Sequence, residues 1–257
     1  MGLEYARRAA DPAISVVIPT IPGYDHRTPL ASFDGQSIDE PYEMLVVNDG
    51  TLDRSEARNE GLRAATADVV ALTDDDTKPP ADWLANIHRE FRADPDLVCL
   101  EGPVFGGCRS VGPRRYVGCN LAVRRGAALA VGGFRSEFSE WREDVEFGWR
   151  MEAEAEGVCR YSEDVRMCHP TAPRTAFKPE LERQLREEYP HRYAEVLNAS
   201  ATRRLYRRAR ALGLTQPVHR AINALRRLFG DPRVSADVPQ YTDPNDSTGR
   251  VDDSTPE

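Results

Sequence analysis

Short continuous apolar runs punctuate the first half of this chain, each followed by a stretch of helical character. Ile14–Ile18, residues 42–48, residues 68–73 and Leu97–Leu100 read as strands, because a strand covered on both faces shows no polar alternation. Pro19 cannot donate to a ladder and closes the first run. Between the runs the sequence predicts helices near Thr28–Ser37, Ser55–Ala65 and Ala81–Ala93, the last opened favourably by Pro79-Pro80. The alternation argues for an α/β fold with a mostly parallel sheet flanked by helices. After residue 100 the texture changes. Tyr116–Val123 is strand-like, Gly126–Val131 and Asp144–Glu156 are helical, and Val158–Tyr161 and Val165–Met167 are strand-like again.

The third run does something that packing does not require: Val69-Val70-Ala71-Leu72-Thr73 leads straight into Asp74-Asp75-Asp76. Ionised carboxylates repel one another and are costly to desolvate unless a cation or hydrogen-bond donors sit among them. Side chains alternate along a strand, so Asp74 and Asp76 share one side and Asp75 takes the other. Ligands of α/β sheets bind at the carboxyl ends of strands, and hard oxygen ligands suit Mg²⁺ or Mn²⁺ shared with a substrate's phosphates. By itself an acidic triplet is more often a solvated loop. Its company changes the reading.

Six segments stand in order: Val17-Ile18-Pro19-Thr20, VVNDGT (46–51), ARNEG (57–61), TDDD (73–76), GCNLAVRR (118–125) followed by Gly132-Gly133-Phe134, and REDVEFGWR (142–150). The set resembles the family 2 inverting glycosyltransferases of the GT-A fold, over roughly residues 13 to 170. The resemblance implies a nucleotide-binding half followed by an acceptor-binding half. It implies transfer of a sugar from a nucleoside diphosphate sugar, with a UDP-sugar as first expectation and GDP- or dTDP-sugars open, and Mn²⁺ or Mg²⁺ as cofactor. The acceptor would be a hydroxyl of a lipid-linked oligosaccharide, glycoprotein glycan or surface polysaccharide.

Residue by residue, the resemblance makes Asp76 the metal ligand and puts Asp74 on the ribose or in the metal shell, with Asp75 assisting. Asp49 would read the nucleobase, Arg58 would contact the diphosphate or hold the base pocket, and Pro19 and Thr20 would form the pocket's backbone wall. His169 occupies the place where some GT-A enzymes present a third metal ligand. Asn120, Trp141 and Glu143 are expected to face the acceptor, and Asp144 is the candidate general base. An acid in a first helical turn gains from the macrodipole and free N–H groups, which favour the ionised form a base requires. The chain departs from the commoner Gly-Glu-Asp opening by placing Trp141 and Arg142 before the acidic pair.

Each residue also has a plainer reading. Asp49 and Asn48 suit a β-turn, Arg58 an ion pair on a solvated helix, Gly61 close helix packing, and a lone histidine a structural role. Other phosphate chemistries fit less well. A haloacid-dehalogenase motif wants a Thr or Val two residues past its second aspartate, where this chain has Lys78. A nucleotidylyltransferase wants a glycine-rich basic loop after the first strand, which Thr20-Ile21-Pro22-Gly23-Tyr24 is not. The remaining alternative is a non-catalytic sugar-nucleotide-binding or scaffolding protein, against which the intact acidic motifs count.

Composition bounds the partners. Acids outnumber Lys plus Arg by 42 to 34 in 257 residues, so a general nucleic-acid binder is excluded. Lys78 and Lys178 are the only lysines; acid excess with so little lysine is the pattern of a protein from a salt-loving organism, although a high-GC genome also replaces Lys with Arg. The odd set Cys99, Cys108, Cys119, Cys159 and Cys168 has no CxxC spacing and reads as reduced thiols, with neither a disulfide framework nor a zinc site. The charged N-terminus is unlike a signal peptide, and no apolar run approaches the ~20 residues of a membrane span, so a cytoplasmic protein is expected. Three regions are expected: a glycosyltransferase domain over 1–175, an arginine-rich helical extension over 176–230 and an acidic disordered tail over 231–257. Ala201–Gly230 carries eight arginines and no acid, which suits peripheral contact with an anionic membrane face or partner, or pairing with the acidic catalytic domain or tail of the chain itself.

Overall fold

A computed structural model describes residues 2–20, 30–139, 141–170 and 177–197. The arginines of residues 201–230 and the acidic tail lie outside the described residues, as do the first two residues of the helix expected near Thr28–Ser37; of its remainder only residues 30–31 are helical, 32–35 form turns and 36–37 have no regular structure.

Nine strands are described. Seven form one sheet in the order β1 (Leu3–Arg7), β3 (Tyr42–Val47), β2 (Ile14–Pro19), β4 (Val69–Leu72), β7 (Leu121–Arg124), β5 (Leu97–Glu101), β8 (Val158–Tyr161). β6 (Val104–Gly106) and β9 (Met167–His169) make a small parallel pair. The expected α/β architecture holds: β2 runs parallel to β3 and β4, and β5 to β8. The exceptions are β1, antiparallel to β3, and β7, antiparallel to both β4 and β5.

Two apolar layers explain why the central strands read as unbroken apolar runs. The period of two sorts their side chains: Val17, Leu45, Val70 and Leu72 join one core cluster, and Val16, Ile18, Met44, Val46, Val69 and Ala71 the other. On the first face lies α1 (Arg54–Ala64), started by a reciprocal capping box between Asp53 and Glu56. Gly61 lets it approach β2, since a Cβ there would stand 2.2 Å from Cγ1 of Val17. On the opposite face α2 (Trp83–Ala93) buries Trp83, Leu84, Ile87 and Phe91 at helical spacing. After the short α3 (Arg125–Ala130), α4 (Glu143–Glu154) returns to the first face with Phe147, Trp149 and Met151. Beyond it, α5 (Pro179–Glu188) and the following turns add Leu185, Tyr193, Val196 and Leu197 to that same core.

Three local differences from the sequence reading have identifiable causes. β1 escapes notice because it is a half-exposed edge strand carrying Glu4 and Arg7. β6 is too short to show a period. Residues 116–120 are not a strand, because the buried Glu101 carboxylate accepts the backbone N–H groups of Arg114, Arg115 and Tyr116. Arg114 and Tyr116 adopt φ of 63° and 37°, outside the β region.

Candidate active site

β2, β3 and β4 end in register, with Pro19 opposite Val47 and Val17 opposite Leu72. The residues that follow them, Thr20, Asn48-Asp49 and Asp74–Asp76, therefore gather at one carboxyl edge of the sheet, the usual ligand edge of an α/β fold. The acidic turn is braced internally: the Thr77 hydroxyl donates to the Asp74 carbonyl at 2.8 Å and lies 2.7 Å from the Thr73 hydroxyl. Thr20 crosses from β2 to donate to Asp75 Oδ2 at 2.5 Å. Asp75 thus faces the β2 end, while Asp74 and Asp76 approach His169, as the alternation suggested.

His169 arrives through a backbone bridge. The Lys78 N–H donates to the Cys168 carbonyl at 2.8 Å and the Cys168 N–H to the Lys78 carbonyl at 3.3 Å, which lays the end of β9 beside the acidic turn. Its Nε2 stands 3.4 Å from Asp76 Oδ1 and 3.9 Å from Asp74 Oδ2. Two carboxylates and an imidazole at such separations fit a shared divalent cation. A thiol joins them: ligand atoms of Asp74, Cys119 and His169 all lie within 4.8 Å of one another. Cys119 escaped the sequence reading, since a position 45 residues from Asp74 and 50 from His169 leaves no spacing signal.

Arg58 organises the other side. Only 2% exposed, it donates to Asp74 Oδ1 at 3.0 Å and to Glu143 Oε1 at 2.8 Å. Glu143 also takes the Arg54 guanidinium at 3.1 Å. Burial works against its charge, but the Asp74 and Glu143 carboxylates outweigh it and keep Arg58 ionised. Its guanidinium lies 5.4 Å from the Phe134 ring centroid and packs on Gly118, where a Cβ would come within 2.4 Å of Nη2. It is a buried brace between the two acidic motifs, not the partner of a solvated helix. Asn48 Oδ1 and Arg58 Nε are buried without a hydrogen-bond partner among the described residues.

Asp144 sits beside this brace in the first turn of α4. Its two oxygens accept the Gly118 N–H at 2.9 Å and the Val145 N–H at 2.8 Å. Burial, then the neighbouring Glu143, push its carboxyl up to about 6, and the Gly118 N–H and Arg58 only partly offset them. The helix start is therefore outweighed, and the group is poised near neutrality instead of being held ionised well below it. Proton acceptors work best with a pKa near the operating pH.

The other expected residues are engaged in different ways. Asp49 makes a local turn, accepting the Thr51 hydroxyl at 2.7 Å and N–H at 3.0 Å, which lowers its carboxyl below the usual range. Asn120 is buried and pinned: its oxygen accepts the Trp83 indole at 2.8 Å and its amide donates to the carbonyls of Val165 and Pro103. Trp141 is buried, with its indole donating to Glu182 at 2.6 Å and its ring edge-on to Phe177. Glu143 faces the two arginines. Pro19 and Thr20 close β2, the Thr20 N–H donating to the Val47 carbonyl at 3.0 Å.

Known proteins resemble parts of this arrangement. The family model described as Glycosyl transferase family 2 matches residues 45–125, from β3 to the end of β7. A glucosyl-dolichyl phosphate glucuronosyltransferase of Haloferax volcanii is 28% identical over 116 residues, which are 35% of this chain and 37% of that protein. The match thus spans little more than a third of that relative's length. Two solved structures share the fold. The mannosyltransferase PcManGT of Pyrobaculum calidifontis, in complex with GDP-Man and Mn²⁺, matches over 91% of this chain and 81% of its own, at 14% identity and a TM-score of 0.50. Residues 1–349 of S. aureus TarS match over 82% of each chain, at 15% identity and a TM-score of 0.52. Residues 45–125 of this chain are thus similar to family 2 glycosyltransferases, and the described architecture is similar to that of solved GT-A glycosyltransferases.

Proposed function

We propose that the chain transfers a sugar from a nucleoside diphosphate sugar to an acceptor hydroxyl with inversion, assisted by Mn²⁺ or Mg²⁺. The observation that carries this reading is the Arg58 brace. One buried guanidinium ties the carboxylate at the end of β4 to the acidic pair at the start of α4. It sets a cation-binding corner and a carboxylate poised near pH 6 in one site. In this reading Asp74, Asp76 and His169 hold the cation, which offsets charge on the departing diphosphate. Asp144 takes the acceptor's proton as the new bond forms on the opposite side. The buried Asn48 oxygen, without a partner among the described residues, and the end of β2 at Pro19 and Thr20 flank the donor, with Asp49 at the nucleobase. Arg58 and Glu143 hold the geometry, and Asn120 and Trp141 support the acceptor wall from within.

A UDP-sugar remains the first donor to try, with GDP-sugars close behind because the Pyrobaculum neighbour was solved with one. The name of the Haloferax relative favours a lipid-linked acceptor. Among the described residues no helix is long and apolar enough to cross a membrane. Contact with such an acceptor is assigned in this reading to the arginines of Ala201–Gly230. The deciding experiment is thermal stabilisation by a panel of nucleoside diphosphates with and without Mn²⁺, followed by the anomeric configuration of the product by NMR. Stabilisation by one diphosphate only with metal, and an inverted product, is expected. Retention of configuration, or indifference to every diphosphate, refutes the reading.

A further inference from the structure

The cation corner holds one ligand atom that Mg²⁺ or Mn²⁺ chemistry does not call for. The Cys119 sulfur, an Asp74 oxygen and a His169 nitrogen lie within 4.8 Å of one another. The ligands of a tetrahedral zinc, at about 2.0 Å for N and O and about 2.3 Å for S, stand roughly 3.3–3.6 Å apart. The His169–Asp74 distance of 3.9 Å is already close to that edge. Cys119 is held in place from both sides. Gly118 before it donates its N–H to Asp144, and Asn120 after it is pinned by three hydrogen bonds. A thiolate is a soft donor that suits zinc and cobalt, whereas Mg²⁺ takes hard oxygens.

We propose that Cys119 makes this corner a metal-selecting site, in which Asp74, His169 and Cys119 bind Zn²⁺ or Co²⁺ as an oxygen, nitrogen and sulfur set more tightly than the corner binds Mg²⁺. The inference rests on reading the corner as the cation site. On binding, the Cys119 thiol releases its proton to solvent as the sulfur–metal bond forms, and no electrons are exchanged. The hard cation that serves the donor and a thiophilic ion then compete for Asp74 and His169.

The test is titration of the full chain with Co²⁺ alone, read by absorption. The wild type is expected to show a sulfur-to-cobalt charge-transfer band in the near ultraviolet, with a proton released per ion. A Cys108→Ser/Cys168→Ser variant should keep the band. Cys119→Ser should lose it and bind Zn²⁺ at least about 10-fold more weakly, the least that loss of even a supporting partner costs at a metal site. Circular dichroism checks that this variant folds; if it does not, X-ray absorption of Co²⁺ bound to the double variant, with or without a sulfur in its shell, supplies the same readout. Mn²⁺ binding by the wild type, followed by electron paramagnetic resonance, separates the two readings. Bound Mn²⁺ with no sulfur band, or a band that survives Cys119→Ser, overturns the role of Cys119 and leaves the transferase reading standing. Failure to bind either ion overturns the cation site itself.

Discussion

Replacing Arg58 with methionine keeps the length and apolar stem of the side chain and removes the charge that holds Asp74 and Glu143. The cost follows from where those partners lie. Asp74 is 30% exposed and can recover water, so losing that arm costs no more than about 1 kcal/mol. The Glu143 side chain is 5% exposed and keeps, among the described residues, the ion pair with Arg54, whose side chain is itself 47% exposed. Removing one member of a buried pair costs about 3–5 kcal/mol, chiefly because the other charge is stranded; the remaining Arg54 places Arg58→Met toward the lower end. Glu143→Gln leaves a neutral acceptor for Arg58 and should cost about 1.5–3 kcal/mol. In the double variant no charge is stranded, so its loss falls short of the sum by about 0.5–3 kcal/mol. Urea unfolding of the four proteins measures these quantities. The pair also tunes Asp144, in opposite senses: Glu143 raises its carboxyl and Arg58 lowers it. The acid limb of transfer, expected near pH 6 where Asp144 takes up a proton, should move to higher pH in Arg58→Met and to lower pH in Glu143→Gln. A loss under 1 kcal/mol in Arg58→Met, an additive double variant, or limbs moving in the same direction would refute this account.

Three further outcomes are expected. Asp144→Asn should lower transfer by about 10²–10⁴-fold, the usual contribution of a general base, with donor affinity by calorimetry nearly unchanged; normal turnover would move the base elsewhere. A chelator should abolish metal-dependent binding of the nucleoside diphosphate, and Asp76→Asn should weaken it; undiminished binding in excess chelator would remove the cation from the mechanism. Gly118→Ala should destabilise the protein by about 1–3 kcal/mol and reduce transfer, because the added carbon meets a guanidinium held by two carboxylates and cannot be avoided cheaply. An unchanged melting temperature would show that Arg58 is free to move aside.

How much of this protein is legible in its sequence depends on the range of the interaction. The unbroken apolar runs at 14–18, 42–47 and 69–72 announce strands buried on both faces, and the proline, turn and acidic residues that end them mark one edge of the sheet. Three of the ordered motifs stand at the ends of those strands, where chemistry and chain position coincide, and the others lie in α1, β7 and α4. Local geometry does not announce contacts between distant segments. Arg58 meets Glu143 across 85 positions, and Cys119 meets Asp74 and His169 only because β7 is inserted antiparallel beside β4 and the Lys78–Cys168 bridge draws β9 to the acidic turn. Tyr116 and Val117 carry strand-forming side chains, yet the backbone of Arg114–Tyr116 answers to a buried carboxylate on β5. The poise of Asp144 near pH 6 belongs to the same class: its place at a helix start argues for a low pKa, and burial beside Glu143 reverses it. By itself the sequence determined the sheet, its ligand edge and the acids placed there, because hydrophobic periodicity and turn chemistry act over a few residues. The tertiary structure alone decided which of those acids are paired, buried or aimed at a common point, because desolvation and Coulomb energies depend on neighbours that chain separation does not reveal.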